Sequence, residues 1–158
     1  MNLAYVDCLP VGGGLSRYSL GLCKNLLKYD SSIVIDYFIH HDNLSKMEEL
    51  LDLDRLNVHV LRSSLPSSKY HFIFRKLFLK LFKFNIAKTF EIEISERIDA
   101  RYDVVYFPSA HMMPFPNLCV PTVSTMHDFN WKYFFGSKIF SDAFCAKMEH
   151  EIPKWLLK

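Results

Sequence analysis

Short apolar runs alternate along this chain with longer segments in which apolar residues recur at helical spacing. Such short runs are typical of buried strands, and the longer periodic segments are typical of helices that pack one face on a core. The runs predict five strands, over residues 3–6, 33–39, 58–61, 103–107 and 121–126. The periodic segments predict helices over residues 15–27, 47–51, 69–84, 86–98 and 139–157. This alternation indicates an α/β fold, a Rossmann-like parallel sheet with right-handed crossovers and helices on both faces.

The turn between the first strand and the first helix contains three successive glycines, Gly12, Gly13 and Gly14. Glycine lets the backbone approach a phosphate closely, and the first N–H groups of a helix point outward at such an anion. We therefore predict a phosphate site at Gly13 and Gly14, with Arg17 adding charge from the first helical turn. Arg17 also stands where the dinucleotide fingerprint G-x-G-x-x-G has its third glycine, so that fingerprint is only half met. A tight turn without a ligand, beside a solvated Arg17, is the alternative.

Two further features follow predicted strands. A loop with three prolines, residues 108–116, follows the fourth strand, and His127 and Asp128 end the fifth. Because parallel sheets hold ligands beyond the carboxyl ends of their strands, we expect these features and the glycine turn to line one crevice. Asp36 lies inside the second strand, which fits a ribose-binding acid poorly.

The composition supports one folded domain with a substantial core. Half of the 158 residues are hydrophobic, and the net charge of +2 gives no indication of a general polyanion-binding role. The four cysteines form no C-x-x-C pair, which disfavours a zinc ribbon and favours reduced thiols in the cytoplasm. No basic segment with an apolar core opens the chain and no 18-residue apolar run occurs, so we predict neither a signal peptide nor a transmembrane helix.

Residues 69–84 predict a basic amphipathic helix. No Asp or Glu occurs from Arg55 to Phe90, while phenylalanines and leucines fill the face beside one lysine stripe. The stripe consists of Lys69, Lys76, Lys80 and Lys83. Such a helix suits an anionic membrane surface. A core helix with a solvated lysine edge is the alternative. Nucleic acid is disfavoured because the phenylalanines lie mainly away from the lysines.

Two segments resemble family 4 glycosyltransferases. GGGLSRYSLGLCKNLL resembles the glycine-rich opening of that family, and DVVYFPSAHMMPFP followed by PTVSTMHDFNWKYF resembles its proline loop and its strand ending in His-Asp. Members have the GT-B architecture of two Rossmann-like domains around a cleft. The resemblance implies that residues 1–158 are the N-terminal, acceptor-side half of that architecture. We expect a truncated domain, without the C-terminal donor domain, that is inactive alone.

The resemblance also implies a reaction and roles for residues. The reaction moves a sugar from a nucleotide-sugar to a hydroxyl of a saccharide or lipid-linked acceptor, with retention of anomeric configuration and without a metal or other cofactor. Gly13 and Gly14 face the donor diphosphate, and His127 reaches the donor sugar. Asp128 orients that ring or accepts from the acceptor hydroxyl, and His111 lines the acceptor side. The location implied is cytoplasmic, with the inner face of the membrane as an open alternative. The alternatives without a functional role are that Asp128 caps a turn, that His127 packs beneath it and that His111 lies on a surface loop.

Other functions stay open. One is a stand-alone or remnant Rossmann-type module that binds a nucleotide without catalysis. An oxidoreductase domain is opposed by the missing third glycine and by the position of Asp36. A metal-dependent hydrolase, suggested by His40, His41 and Asp42, requires further ligands on helices, whereas both His-Asp pairs follow strands.

Overall fold

Five parallel strands form one sheet in the computed structural model, which describes residues 1–7, 14–45, 47–61, 93–98, 100–108 and 118–125, without the side chain of Asp42. The strands are β1 (Asn2–Asp7), β2 (Val34–His40), β3 (Leu56–Leu61), β4 (Val104–Phe107) and β5 (Thr122–Ser124). Their order is β3-β2-β1-β4-β5, and every pairing is parallel. The predicted Rossmann-like α/β fold is confirmed.

Helix α1 (Gly14–Tyr29) packs on one face of the sheet. Cys23 and Leu27 lie on its buried side and meet Tyr5 and Tyr37 from the central strands. Each fully buried apolar side chain of this size contributes roughly 1.5–3 kcal/mol relative to exposure. The predicted apolar stripe of this helix therefore forms one half of the core.

The opposite face has a second core. Val6 and Phe38 of the central strands pack there with Ile94 and Ile98. Residues 93–97 are helical, which agrees with the end of the helix predicted over 86–98. Helical segments therefore cover both faces of the sheet.

The strand order places a topological switch point beside β1. From β1 the sheet continues through β2 and β3 on one side and through β4 and β5 on the other. Their carboxyl ends, at Asp7, His40, Phe107 and Ser124, lie along one edge because all strands are parallel. In open α/β sheets a ligand crevice forms outside this edge, at the switch point.

The segment after β2 contains the short helix predicted over 47–51 and a further short helix that was not predicted. The chain enters a four-residue helix, α2 (His41–Leu44), and then a short 3-10 helix over Glu48–Leu50. Met47 is the N-cap of the 3-10 helix and makes no side-chain capping bond.

Other predicted elements lie wholly or partly outside the described residues. These are the basic helix over 69–84, the last helix over 139–157, and all of the proline loop except Pro108. Across the described parts of the chain, we find no helix with the length and hydropathy needed to cross a membrane.

Candidate functional site

The first turn of α1 lies at the carboxyl edge of the sheet. Only residues 8–13 separate the end of β1 from Gly14, the first residue of α1. Gly14 is exposed, and a Cβ built on it would meet no atom within 4 Å. The packing of the described residues therefore does not require glycine at this position. The first N–H groups of a helix lack intrahelical partners, so this open turn presents donors to an anion.

Arg17 is exposed on the same turn. It stands three residues after Gly14, close enough in the chain to add positive charge at this helix end. Gly14 and Arg17 are thus the two predicted site residues that the structure describes, and both belong to one helical turn at the carboxyl edge.

A buried carboxyl group, Asp7, ends β1 beside this turn. Its side chain is 1% exposed, and its Oδ2 accepts hydrogen bonds from the Tyr37 hydroxyl at 2.6 Å and from Ser19 Oγ at 3.4 Å. Within the described residues its Oδ1 has no hydrogen-bond partner. Burial raises the pKa of Asp7 to about 6, although the hydrogen bonds from Tyr37 and Ser19 act to lower it. Asp7 therefore binds its proton more tightly than an exposed carboxyl group, five positions before Gly12 in the sequence.

A cluster of three hydroxyl groups lies across the switch point. Tyr18 of α1 lies 2.7 Å from the Tyr106 hydroxyl of β4 and 3.3 Å from Thr125 Oγ1, which follows β5. Tyr106 and Thr125 also share a short hydrogen bond. Burial raises the pKa of Tyr106, so its hydroxyl stays protonated at neutral pH and can donate. We call Tyr18, Tyr106 and Thr125 the hydroxyl cluster.

Stacked rings join the hydroxyl cluster to Asp7. The Tyr5 and Tyr37 rings stack with centroids 4.6 Å apart, and Tyr5 tilts against Tyr106 at 5.1 Å. Such aromatic pairs contribute about 0.5–1.5 kcal/mol beyond their buried area. The buried rings of Tyr5 and Tyr37 therefore connect Asp7 to the hydroxyl cluster within the core under α1.

Polar groups also gather at the opposite, amino edge of the sheet. Asp36 Oδ2 accepts from the Tyr102 hydroxyl at 2.6 Å, Oδ1 accepts from Asn57 Nδ2 at 2.8 Å, and His59 Nε2 lies 3.4 Å from Oδ1. Burial acts to raise the pKa of Asp36, but these hydrogen bonds outweigh it and lower the pKa. Asp36 is the third residue of β2, near the start of the strand. It lies away from the carboxyl edge, which agrees with its poor fit to a ribose-binding acid.

Most of the predicted site residues lie outside the described part of the chain. They are Gly13, His111, His127, Asp128, Lys69, Lys76, Lys80 and Lys83. Among the residues that are described, no group of three or more His, Cys, Asp or Glu side chains is placed to hold a metal ion.

The sequence reasoning missed Asp7 and the hydroxyl cluster. Asp7 offered a signal, because it stands between a buried apolar run and the glycine turn. The tyrosines offered none, because tyrosine in a strand or on an apolar helix stripe equally indicates core packing.

No protein-family model matches this chain, and no curated protein sequence matches it.

Proposed function

We propose that this chain is the acceptor-side, N-terminal domain of a retaining GT-B glycosyltransferase, which moves a sugar from a nucleotide-sugar to an acceptor hydroxyl. One observation carries the proposal: the open first turn of α1, with Gly14 exposed, stands at the switch point of a parallel sheet. That is where α/β sheets of this order bind nucleotides. The resemblance of the glycine turn and of the His-Asp strand end to family 4 enzymes supplies the reaction type.

In this proposal the donor diphosphate lies against the first turn of α1. Backbone N–H groups bind its oxygens, the helix dipole favours its negative charge, and Arg17 adds a cation. Glycine at position 14 leaves the approach open, since no protein atom occupies the space of its missing Cβ. In the GT-B architecture a second Rossmann-like domain holds most of the nucleotide-sugar.

The other proposed roles belong to residues of the proline loop, of the strand end after β5 and of the lysine stripe. His127, two residues after Thr125, reaches the donor sugar, and Asp128 orients it or accepts from the acceptor hydroxyl. His111 lines the acceptor side. Imidazole can donate to a sugar hydroxyl or carry a proton near neutral pH. The acceptor is a saccharide or a lipid-linked molecule, and the lysine stripe of residues 69–84 holds the domain at an anionic membrane surface.

The test is a nuclear magnetic resonance titration of the ¹⁵N-labelled chain. The ligands are UDP, GDP and ADP, each with and without an attached hexose. We expect saturable shifts of the amide signals of residues 14–17 and of Phe107 and Thr125 at the carboxyl edge. The amides of Asn2 and Asn57, at the amino edge, serve as internal controls and should not move. Shifts confined to the amino edge, or no shift with any nucleotide, would refute the proposal.

His127→Ala separates sugar recognition from nucleotide binding in the same titration. We expect this variant to bind the free nucleotide like the wild type but to lose the additional affinity that the hexose provides. If the hexose adds no affinity to the wild type, the chain is better explained as a nucleotide-binding module without sugar recognition.

A further inference from the structure

The hydroxyl cluster joins three elements that are distant in the sequence. Tyr18 and Thr125 are 107 residues apart, and Tyr106 contacts both of them. Tyr18 stands four residues after Gly14, about one helical turn or 6 Å along the axis. The cluster therefore links the turn that carries Gly14 to the end of β5.

Little apolar burial holds the end of β5. All three residues of β5 are exposed, and Val123 is 49% exposed. Thr125 is fixed by its backbone N–H, which donates to Phe107 O at 3.0 Å, and by its side chain in the hydroxyl cluster. Each such hydrogen bond contributes about 1 kcal/mol net. Because burial contributes so little here, polar contacts determine where the chain leaves β5.

The ring of Tyr106 is held in place by the aromatic core, independently of its hydrogen bonds to Tyr18 and Thr125. Its ring packs against Tyr5, which stacks on Tyr37, and Tyr37 in turn donates to the buried Asp7. A ring held in this way loses little rotamer freedom when its hydroxyl forms hydrogen bonds. Tyr106 therefore provides a fixed hydroxyl to which both Tyr18 and Thr125 form hydrogen bonds.

We propose that the hydroxyl cluster is a positioning device that sets the distance between the first turn of α1 and the end of β5 at Thr125. This inference rests on the proposed function, because that function places the donor diphosphate on the first turn of α1. Tyr18, Tyr106 and Thr125 are positioning residues: they act on the substrate through the two segments that they join. Binding groups must be held close to their productive positions, so loss of one hydroxyl weakens anion binding by displacing the first turn of α1.

The test compares Thr125→Val with Thr125→Ser. Valine keeps the shape of threonine and removes its hydroxyl, whereas serine keeps the hydroxyl. We expect Thr125→Val to shift the amide signals of residues 14–17, across more than a hundred residues of sequence, and to weaken pyrophosphate binding about fivefold. Thr125→Ser should resemble the wild type in both. Tyr29→Phe is the matched control, because Tyr29 is 94% exposed at the far end of the same helix.

The inference is overturned if Thr125→Val changes amide signals in β4 and β5 but leaves residues 14–17 and pyrophosphate affinity unchanged. If Thr125→Val does not fold, Tyr106→Phe tests the same link, because it removes the shared hydroxyl and keeps the ring. A wild-type chain that does not bind pyrophosphate contradicts the phosphate site of the proposed function. In that case the amide signals of residues 14–17 alone decide whether the cluster positions the turn.

Discussion

Tyr37 donates its hydroxyl to Oδ2 of Asp7 over 2.6 Å, and this buried pair joins the middle of β2 to the end of β1. Burial raises the pKa of Tyr37, so the phenol stays protonated and remains a donor at neutral pH. Asp7 receives this bond and a longer one from Ser19, yet its other oxygen has no partner in the described residues. Ionisation of a carboxyl group buried in this way lowers the stability of the fold.

Asp7→Asn should therefore stabilise the fold at neutral pH. The pKa of Asp7 is about 6 in the folded chain against an ordinary 3.8, so the folded state holds its proton more tightly than the unfolded state. The stability of the wild type consequently falls as pH rises from about 4 to about 6, by up to about 3 kcal/mol. Asparagine does not ionise and keeps an acceptor for Tyr37.

Denaturant unfolding between pH 4 and pH 7.5 measures this difference. The gap between Asp7→Asn and the wild type should be smallest at pH 4, widen up to about pH 6 and then stay constant. Using the difference between the two proteins cancels the other titrating groups. A gap that does not change with pH would show that Asp7 ionises in the fold as it does in water.

Arg55 offers a test of competing backbone and side-chain effects. It has a left-handed φ of 65°, and its guanidinium donates to the carbonyls of Leu27, Asp30 and Ile33 at the end of α1 and the start of β2. The left-handed conformation costs about 1–2 kcal/mol, whereas hydrogen bonds from a charged donor contribute about 1.5–3 kcal/mol each before solvent exposure reduces them.

We expect Arg55→Gly to lower the free energy of unfolding by about 1–2 kcal/mol, because three hydrogen bonds outweigh the relieved strain. Arg55→Ala should be about 1 kcal/mol less stable again, because alanine loses the bonds and keeps the strain. Chemical denaturation of the three proteins gives both differences. A glycine variant more stable than the wild type would mean that strain dominates.

The lysine stripe predicts affinity for anionic membranes. Lys76, Lys80 and Lys83 should each contribute about 1 kcal/mol near such a surface, and salt should screen the attraction. Replacing the three by Gln should weaken co-sedimentation with anionic vesicles at low salt, leave binding to neutral vesicles unchanged and preserve the circular dichroism spectrum. If the wild-type chain does not bind anionic vesicles at low salt, residues 69–84 are better explained as a core helix with a solvated lysine edge.

The hydrophobic pattern predicted the sheet well, because each buried strand appears in the sequence as a local apolar run. The predicted bounds of β1 and β2 were correct to within one residue at each end, whereas β3 begins two residues earlier than predicted. The partners of Asp7 and Thr125 could not be predicted in the same way. Those contacts join residues that only the folded sheet brings together, and a lone sequence carries no signal for such pairs.

Calorimetric titration of two glycine variants with nucleoside diphosphates measures whether the open first turn of α1 binds a diphosphate. Gly14 and Gly21 both lie on α1, and a Cβ meets no atom within 4 Å at either. Gly21→Ala, in the helix interior, should raise stability by about 1 kcal/mol and leave the affinity unchanged. Gly14→Ala should fold as well as the wild type and bind the diphosphate about tenfold more weakly, because its Cβ enters the space of the ligand. Equal affinity of Gly14→Ala and the wild type would show that the diphosphate does not bind at this turn.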